Sequence, residues 1–173
     1  MLRPGDPAPD LRAPAALPDG TAGEVSLAAL RGRWALLLFY PRDFTTVCPT
    51  EVRELSKRAP ELRALGAEPL AISVDDLATH RRWIAEVLGP LEVALVADPG
   101  GALARAFGAW LPGEGMAGRA TYLVDPAGRV RYAAMHDLTV GRSVSEILRV
   151  LEALQAGGMA PAEWRPGQAV LPG

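Results

Sequence analysis

The chain is short of cysteine, histidine and lysine, and each shortage bears on a class of function. Only one of its 173 residues is cysteine, Cys48, so no disulfide can form within the chain. That excludes a secreted scaffold stapled by disulfides. The two histidines, His80 and His136, have no partner ligands at metal-binding spacing. We assign both structural places and expect no metal and no other cofactor. Lys57 is the only lysine, and the 18 basic residues are balanced by 20 acidic ones without a block of either sign. This argues against nucleic acid and against a membrane surface as partner. No apolar run approaches membrane-spanning length, and Met1 to Asp10 carries no apolar signal core. The cytoplasm is the expected compartment.

What remains is an ordinary globular composition, 49% apolar and 22% charged, long enough for one domain with a buried core. Residues 34–40 are continuously apolar, the mark of a central strand covered on both faces. Further strands are expected at 69–74 and 91–97, and a hairpin at 121–125 and 130–134 around Pro126 and Gly128. An N-terminal hairpin is expected from extended pieces at 11–13 and 24–27 around the Pro18-Asp19-Gly20 turn, with Ser26 capping one helical turn after it.

Val52, Leu55, Ala59 and Leu62 recur at helical spacing over 51–65, where Pro60 is expected to bend or interrupt the helix. Asp76 suits the cap of a helix running to Leu88, with Trp83, Ile84, Val87 and Leu88 on its inner face. A short helix should end near Phe107, and 108–118 reads as a glycine-rich loop. Ser143 and Glu146 form a capping-box pattern before a helix over 144–154, and 156–173 has no periodicity. The order β-α-β-α-β-α-β-β-α predicts an α/β fold with a central mixed sheet flanked by helices. We read 1–155 as one domain and 156–173 as an extended C-terminal arm.

The chemistry gathers at Cys48, between the most apolar strand and the helix that follows it. A helix N-terminus offers free N–H groups and positive potential, both suited to a thiolate. A thiol of ordinary pKa, about 8.5, is only a few per cent ionised at neutral pH, so full ionisation gains ~30-fold at most. Part of that gain is lost, because a stabilised thiolate is a weaker nucleophile. The larger contribution must come from donors that grip the transition state. Thr45 could direct its hydroxyl to the same pocket, and Pro41 presents a ring without an N–H that would shield the thiolate. Arg119, before the strand at 121–125, is the candidate charged donor.

Pro41-Arg-Asp-Phe-Thr45-Thr-Val-Cys48-Pro-Thr-Glu51 resembles the active-site signature of the peroxiredoxins, in the typical two-cysteine lineage that includes alkyl hydroperoxide reductase C. The likeness continues at Ser73-Val-Asp-Asp76, Thr79-His-Arg-Arg-Trp83, Arg119 to Asp125 and Asp137 to Val144. It implies a thioredoxin-like fold and thiol-dependent reduction of hydrogen peroxide and organic hydroperoxides without a prosthetic group. By the same resemblance Cys48 is the peroxidatic thiol, Thr45 and Arg119 orient the peroxide, and Pro41 shields the site. Glu51 and Arg142 match a charge network that holds Arg119. A homodimer is implied, with a decameric ring of five dimers as the larger assembly, and Phe44 and Phe107 as interface candidates. Trp164 is offered as an anchor of the arm on a neighbouring subunit.

The likeness breaks at Met159-Ala-Pro-Ala-Glu-Trp-Arg-Pro-Gly167, where Ala160 stands at the position of the lineage's resolving cysteine. The chain is either a natural one-cysteine enzyme of two-cysteine ancestry or carries an introduced Cys→Ala substitution at 160. Either way the oxidised Cys48 needs an external thiol, a thioredoxin-like protein or a low-molecular-weight thiol. Two other functions stay open: a peroxide sensor or redox relay, and a holdase chaperone.

Overall fold

The structure is a computed structural model, describing residues 1–172. Side chains alternate across a strand, and β3 (Trp34–Phe39) is apolar on both faces because both are covered. Leu37 and Phe39 join one core cluster with Leu70, Ile72, Val96 and Tyr122, while Leu36 and Leu38 are fully buried on the other face. β3 pairs in parallel with β4 (Ala67–Ser73), and β4 in parallel with β5 (Ala94–Ala97). On the other side β3 runs antiparallel to β8 (Arg119–Val124), which forms a hairpin with β9 (Val130–His136). The expected N-terminal hairpin is present as β1 (Arg12–Ala16) and β2 (Ala22–Ser26), with β1 antiparallel to β5. The result is a seven-stranded mixed sheet in the order β2-β1-β5-β4-β3-β8-β9.

The helices are α1 (Cys48–Ala64), α2 (Leu77–Trp83), α3 (Ala102–Phe107) and α4 (Val144–Gln155). Cys48 itself opens α1, three residues earlier than the helical periodicity suggests. Pro60 neither breaks nor ends this helix. It stands on the exposed side, where its ring displaces no packed neighbour, so the helix tolerates the lost hydrogen bond. Ser26 is not a cap: it is the last residue of β2, and the short 3-10 turn Ala28–Leu30 has Leu27 at its cap without a side-chain bond. Asp76 caps α2 as expected, accepting from the Thr79 N–H at 2.8 Å. α2 then runs into a π-turn, Ile84–Leu88, whose extra residue rotates Val87 outward to 37% exposure.

The glycine-rich stretch after α3 contains a small ladder of its own, β6 (Trp110–Leu111) against β7 (Met116–Ala117). Phe107 cannot serve an interface. It is fully buried, with ring centroids 5.3 Å from both Phe39 and Tyr122, and its carbonyl accepts from the Tyr122 hydroxyl at 2.6 Å. Phe44, the other aromatic proposed for an interface, is 41% exposed.

Contacts divide the chain into two compact units, Met1–Arg142 and Ser143–Gly173. The first contains the whole sheet. In the second, the Ser143 hydroxyl accepts from the Glu146 N–H at 3.2 Å, but the Glu146 carboxylate turns to Arg149 at 2.7 Å instead of closing the capping box. Trp164 is buried within its own chain, its indole N–H donating to the Gln168 carbonyl at 3.0 Å. The ring therefore does not stand free to anchor on a neighbour.

Candidate active site

The β3–β8 ladder ends at the pair Leu38 and Thr121. One step further, Phe39 and Ala120 would face each other, and there a side chain replaces the ladder. The Arg142 guanidinium donates to the Phe39 carbonyl at 2.7 Å and to the Ala120 carbonyl at 2.9 Å. This satisfies two backbone acceptors where the strands part, as buried carbonyls require. It also fixes Arg142 at the C-terminal end of β3, where the chain leaves for α1.

Glu51, in the first turn of α1, fills the space between two arginines. Its Oε1 accepts from the Arg142 backbone N–H at 2.9 Å and from Nε at 2.8 Å. Its Oε2 accepts from the far end of Arg142 at 2.8 Å and from Arg119 at 2.6 Å. All three side chains are at most 4% exposed. Burial disfavours the charged Glu51 carboxylate, but the Arg142 bonds and the charges of Arg142 and Arg119 outweigh it and hold its pKa below the ordinary value.

Arg119 is thereby aimed at Cys48. Its Nε donates to the Leu138 carbonyl at 2.8 Å, and the guanidinium nitrogen bonded to Glu51 also lies 3.5 Å from the Cys48 sulfur. Cys48 is fully buried at the N-terminus of α1, so the thiol meets both the helix end and a fixed cation. Cys48, Arg119, Glu51 and Arg142 therefore form one bonded group. Pro41 is buried on the loop before them. Thr45 is exposed, and its hydroxyl donates to the Arg42 carbonyl at 3.0 Å, not to the sulfur. With its proton so placed, that hydroxyl offers lone pairs to whatever enters from solvent. Ala160 is exposed in the second unit.

A second buried group lies beside the loop, and reading the sequence missed it. Asp43 is 6% exposed between the exposed Arg42 and Phe44. Its carboxylate accepts from the Tyr40 hydroxyl and meets His80 Nδ1, both at 2.8 Å. Its backbone N–H donates to the Asp75 carboxylate at 2.8 Å, and Ser73 donates to the same oxygen at 2.7 Å. Burial raises the Asp43 pKa despite the His80 bond. The signal was an acidic residue three places after the apolar run 34–40, followed by the pair Asp75 and Asp76 after the next strand. Among the described residues no group of His, Cys, Asp and Glu is placed to hold a metal ion.

A mixed sheet with a lone buried thiol at the head of a helix and an arginine against it defines a thioredoxin-like thiol enzyme. The chain belongs to the AhpC/TSA family, whose model matches residues 4–133. It is 43% identical to peroxiredoxin-2 of Macaca fascicularis over 95% of this chain and 87% of that protein. Against peroxiredoxin-1 of Gallus gallus the identity is 39%, over 94% and 86%. The crystal structure of the reduced 2-Cys peroxiredoxin of Plasmodium vivax superposes with a TM-score of 0.94 at 32% identity, covering 98% of this chain and 92% of that one. The structure of Enterococcus faecalis AhpC gives 0.87 at 33% identity, covering 99% and 100%. The fold is the thioredoxin-like fold of the peroxiredoxins.

Proposed function

We infer that the protein is a thiol-dependent peroxidase acting through Cys48. The observation that carries this reading is the buried Cys48 sulfur at the start of α1, 3.5 Å from an Arg119 held by Glu51. The Cys48 thiolate attacks the terminal peroxide oxygen and the O–O bond breaks. The oxygen stays on sulfur as sulfenic acid, and the leaving hydroxide or alkoxide takes a proton to become water or an alcohol. Arg119 offers N–H groups to the oxygens as charge develops along the breaking bond. Thr45, its proton committed to Arg42, accepts from the hydroperoxide O–H and so selects the reactive orientation. Pro41 keeps water off the sulfur, while Glu51 and Arg142 keep Arg119 in place.

The second half of the cycle needs two external thiols. One attacks the sulfenic sulfur, releasing water and leaving a mixed disulfide. The other attacks that disulfide, restoring the Cys48 thiol and yielding the oxidised reductant. A thioredoxin-like protein or a low-molecular-weight thiol fits this step, and no nucleic acid or membrane enters it. A reducing compartment such as the cytoplasm keeps Cys48 and its reductant as free thiols. Among the described residues no helix is long and apolar enough to cross a membrane. A homodimer, with a decamer as its larger assembly, completes the reading, supported by the exposed Phe44 and by β9 lying at the sheet edge.

The test is peroxide consumption with a thiol reductant present. Turnover is expected from the parent and none from Cys48→Ser; equal activity in the two would overturn the assignment. Stable mixed disulfides with a protein partner, without turnover on any general thiol, would favour the relay.

A further inference from the structure

The loop that precedes Cys48 is exposed at Arg42, Phe44, Thr45 and Thr46, and only Asp43 among its polar residues is buried. Asp43 is also the residue through which this loop is bonded to its surroundings. Tyr40 reaches it from the end of β3, His80 from α2, and Asp75 from the turn between β4 and α2. The Thr45–Arg42 bond closes the turn directly around it. Phe44, next in line, is held at φ 53°, a left-handed backbone that a bulky residue adopts only under constraint. Its ring lies 4.8 Å from the Arg82 guanidinium and 6.4 Å from the Trp83 ring, both on α2.

None of these bonds involves Arg119, Glu51 or Arg142. Two separate anchors therefore hold the two sides of the site. One ties the sulfur's cation to α1 and the sheet; the other ties the Thr45 turn to α2. His80 is fully buried, and its Nε2 has no partner among the described residues. The ring proton thus belongs on Nδ1, where it bonds the Asp43 carboxylate.

We propose that Asp43 and His80, with Tyr40, are positioning residues that set the peroxide-orienting turn at Thr45, independently of the arginine network around the Cys48 sulfur. The proposal rests on the peroxidase reading and deepens it. Neither side chain touches peroxide. They act through Thr45, whose misplacement by about 1 Å is enough to cost a large part of the rate.

The experiment measures the rate of Cys48 oxidation by hydrogen peroxide alongside the pH titration of thiolate ultraviolet absorbance, in the full chain. His80→Leu removes the bond to Asp43 and keeps an apolar ring-sized filler. It is expected to slow oxidation by about tenfold or more with an unchanged thiolate titration. His80→Asn returns an N–H near the Nδ1 position and is expected to recover most of the rate. A folded His80→Leu protein at the parent rate overturns the proposal, and so does a loss matched by an equal loss of thiolate. If His80→Leu does not fold, Tyr40→Phe decides, with about threefold slower oxidation expected and a parent rate overturning the proposal. A parent chain inert to peroxide would instead sink the peroxidase reading itself.

Discussion

Glu51 decides how the charge at the site is used, because a buried carboxylate shared by two arginines costs much if either side is lost. Replacing it with Gln leaves Arg119 and Arg142 without their counter-charge in a region at most 4% exposed. Removing one partner of a buried ion pair destabilises by about 3 kcal/mol, and Glu51→Gln is expected near that figure at neutral pH by chemical denaturation. The pH dependence follows from the direction of the Glu51 shift. Its pKa is lower in the folded chain than the ordinary 4.5, so the unfolded chain binds the proton more tightly. Its contribution is fully present above 4.5 and is lost as pH falls through the folded value. Asp43, raised by burial, works with the opposite sign, since its protonated form is favoured by the fold. Denaturation curves taken downward from neutral pH should therefore show the parent losing stability faster than Glu51→Gln. Parallel losses would show that the Glu51 pKa is the same in the folded and unfolded chains.

At the scale of elements, the parts legible in the sequence are those whose cause is local. The apolar run of β3, the Asp76 cap and the two hairpin turns depend on neighbouring residues, and each is where the pattern puts it. The site's thiol and arginine were legible through a signature; their approach depends on the antiparallel register of β3 and β8, a long-range property. The Asp43–His80 bond spans 37 positions and no spacing rule announces it. Val87 was misplaced because one extra residue in a π-turn rotates a helix face, and Phe107 because exposure of an aromatic is decided by what covers it. α1 shows how tertiary packing overrides a local breaker. Val52, Leu55, Ala59 and Leu62 are fully buried, so the helix continues through Pro60 at the expense of a hydrogen bond. Proline in a helix interior is disfavoured by up to about 3 kcal/mol against alanine, though it also stiffens the unfolded chain. Pro60→Ala is thus expected to stabilise the protein by about 1 kcal/mol, read from the denaturation midpoint with peroxidase activity unchanged. A destabilised variant would mean that the ring, not the backbone, is what α1 needs there.

At the scale of the whole molecule, the catalytic cycle divides between a site that hides its sulfur and a reductant that must reach it. Cys48 is fully buried at the start of α1, so the proposed cycle requires the first turn of that helix to open before an external thiol attacks in line. Opening breaks the bonds from the Thr50 hydroxyl and N–H to the Val47 carbonyl, at 2.6 and 3.0 Å, and withdraws the sulfur from Arg119. The sulfenic acid therefore waits on both opening and encounter, and while it waits a second peroxide can take it to sulfinic acid. Ala160 is exposed, and the resemblance puts it where the two-cysteine lineage carries its resolving thiol. Restoring that thiol by Ala160→Cys would replace an encounter limited by reductant concentration with one at a high effective concentration. If the chain pairs with a second copy as the family implies, one equivalent of peroxide should convert this variant to reducible covalent dimers, joined between Cys48 and the introduced thiol. Intact mass should show less sulfinic acid than in the parent under the same peroxide excess. Monomers that overoxidise at the parent rate would mean that the arm does not deliver position 160 to an opened Cys48 of a second copy.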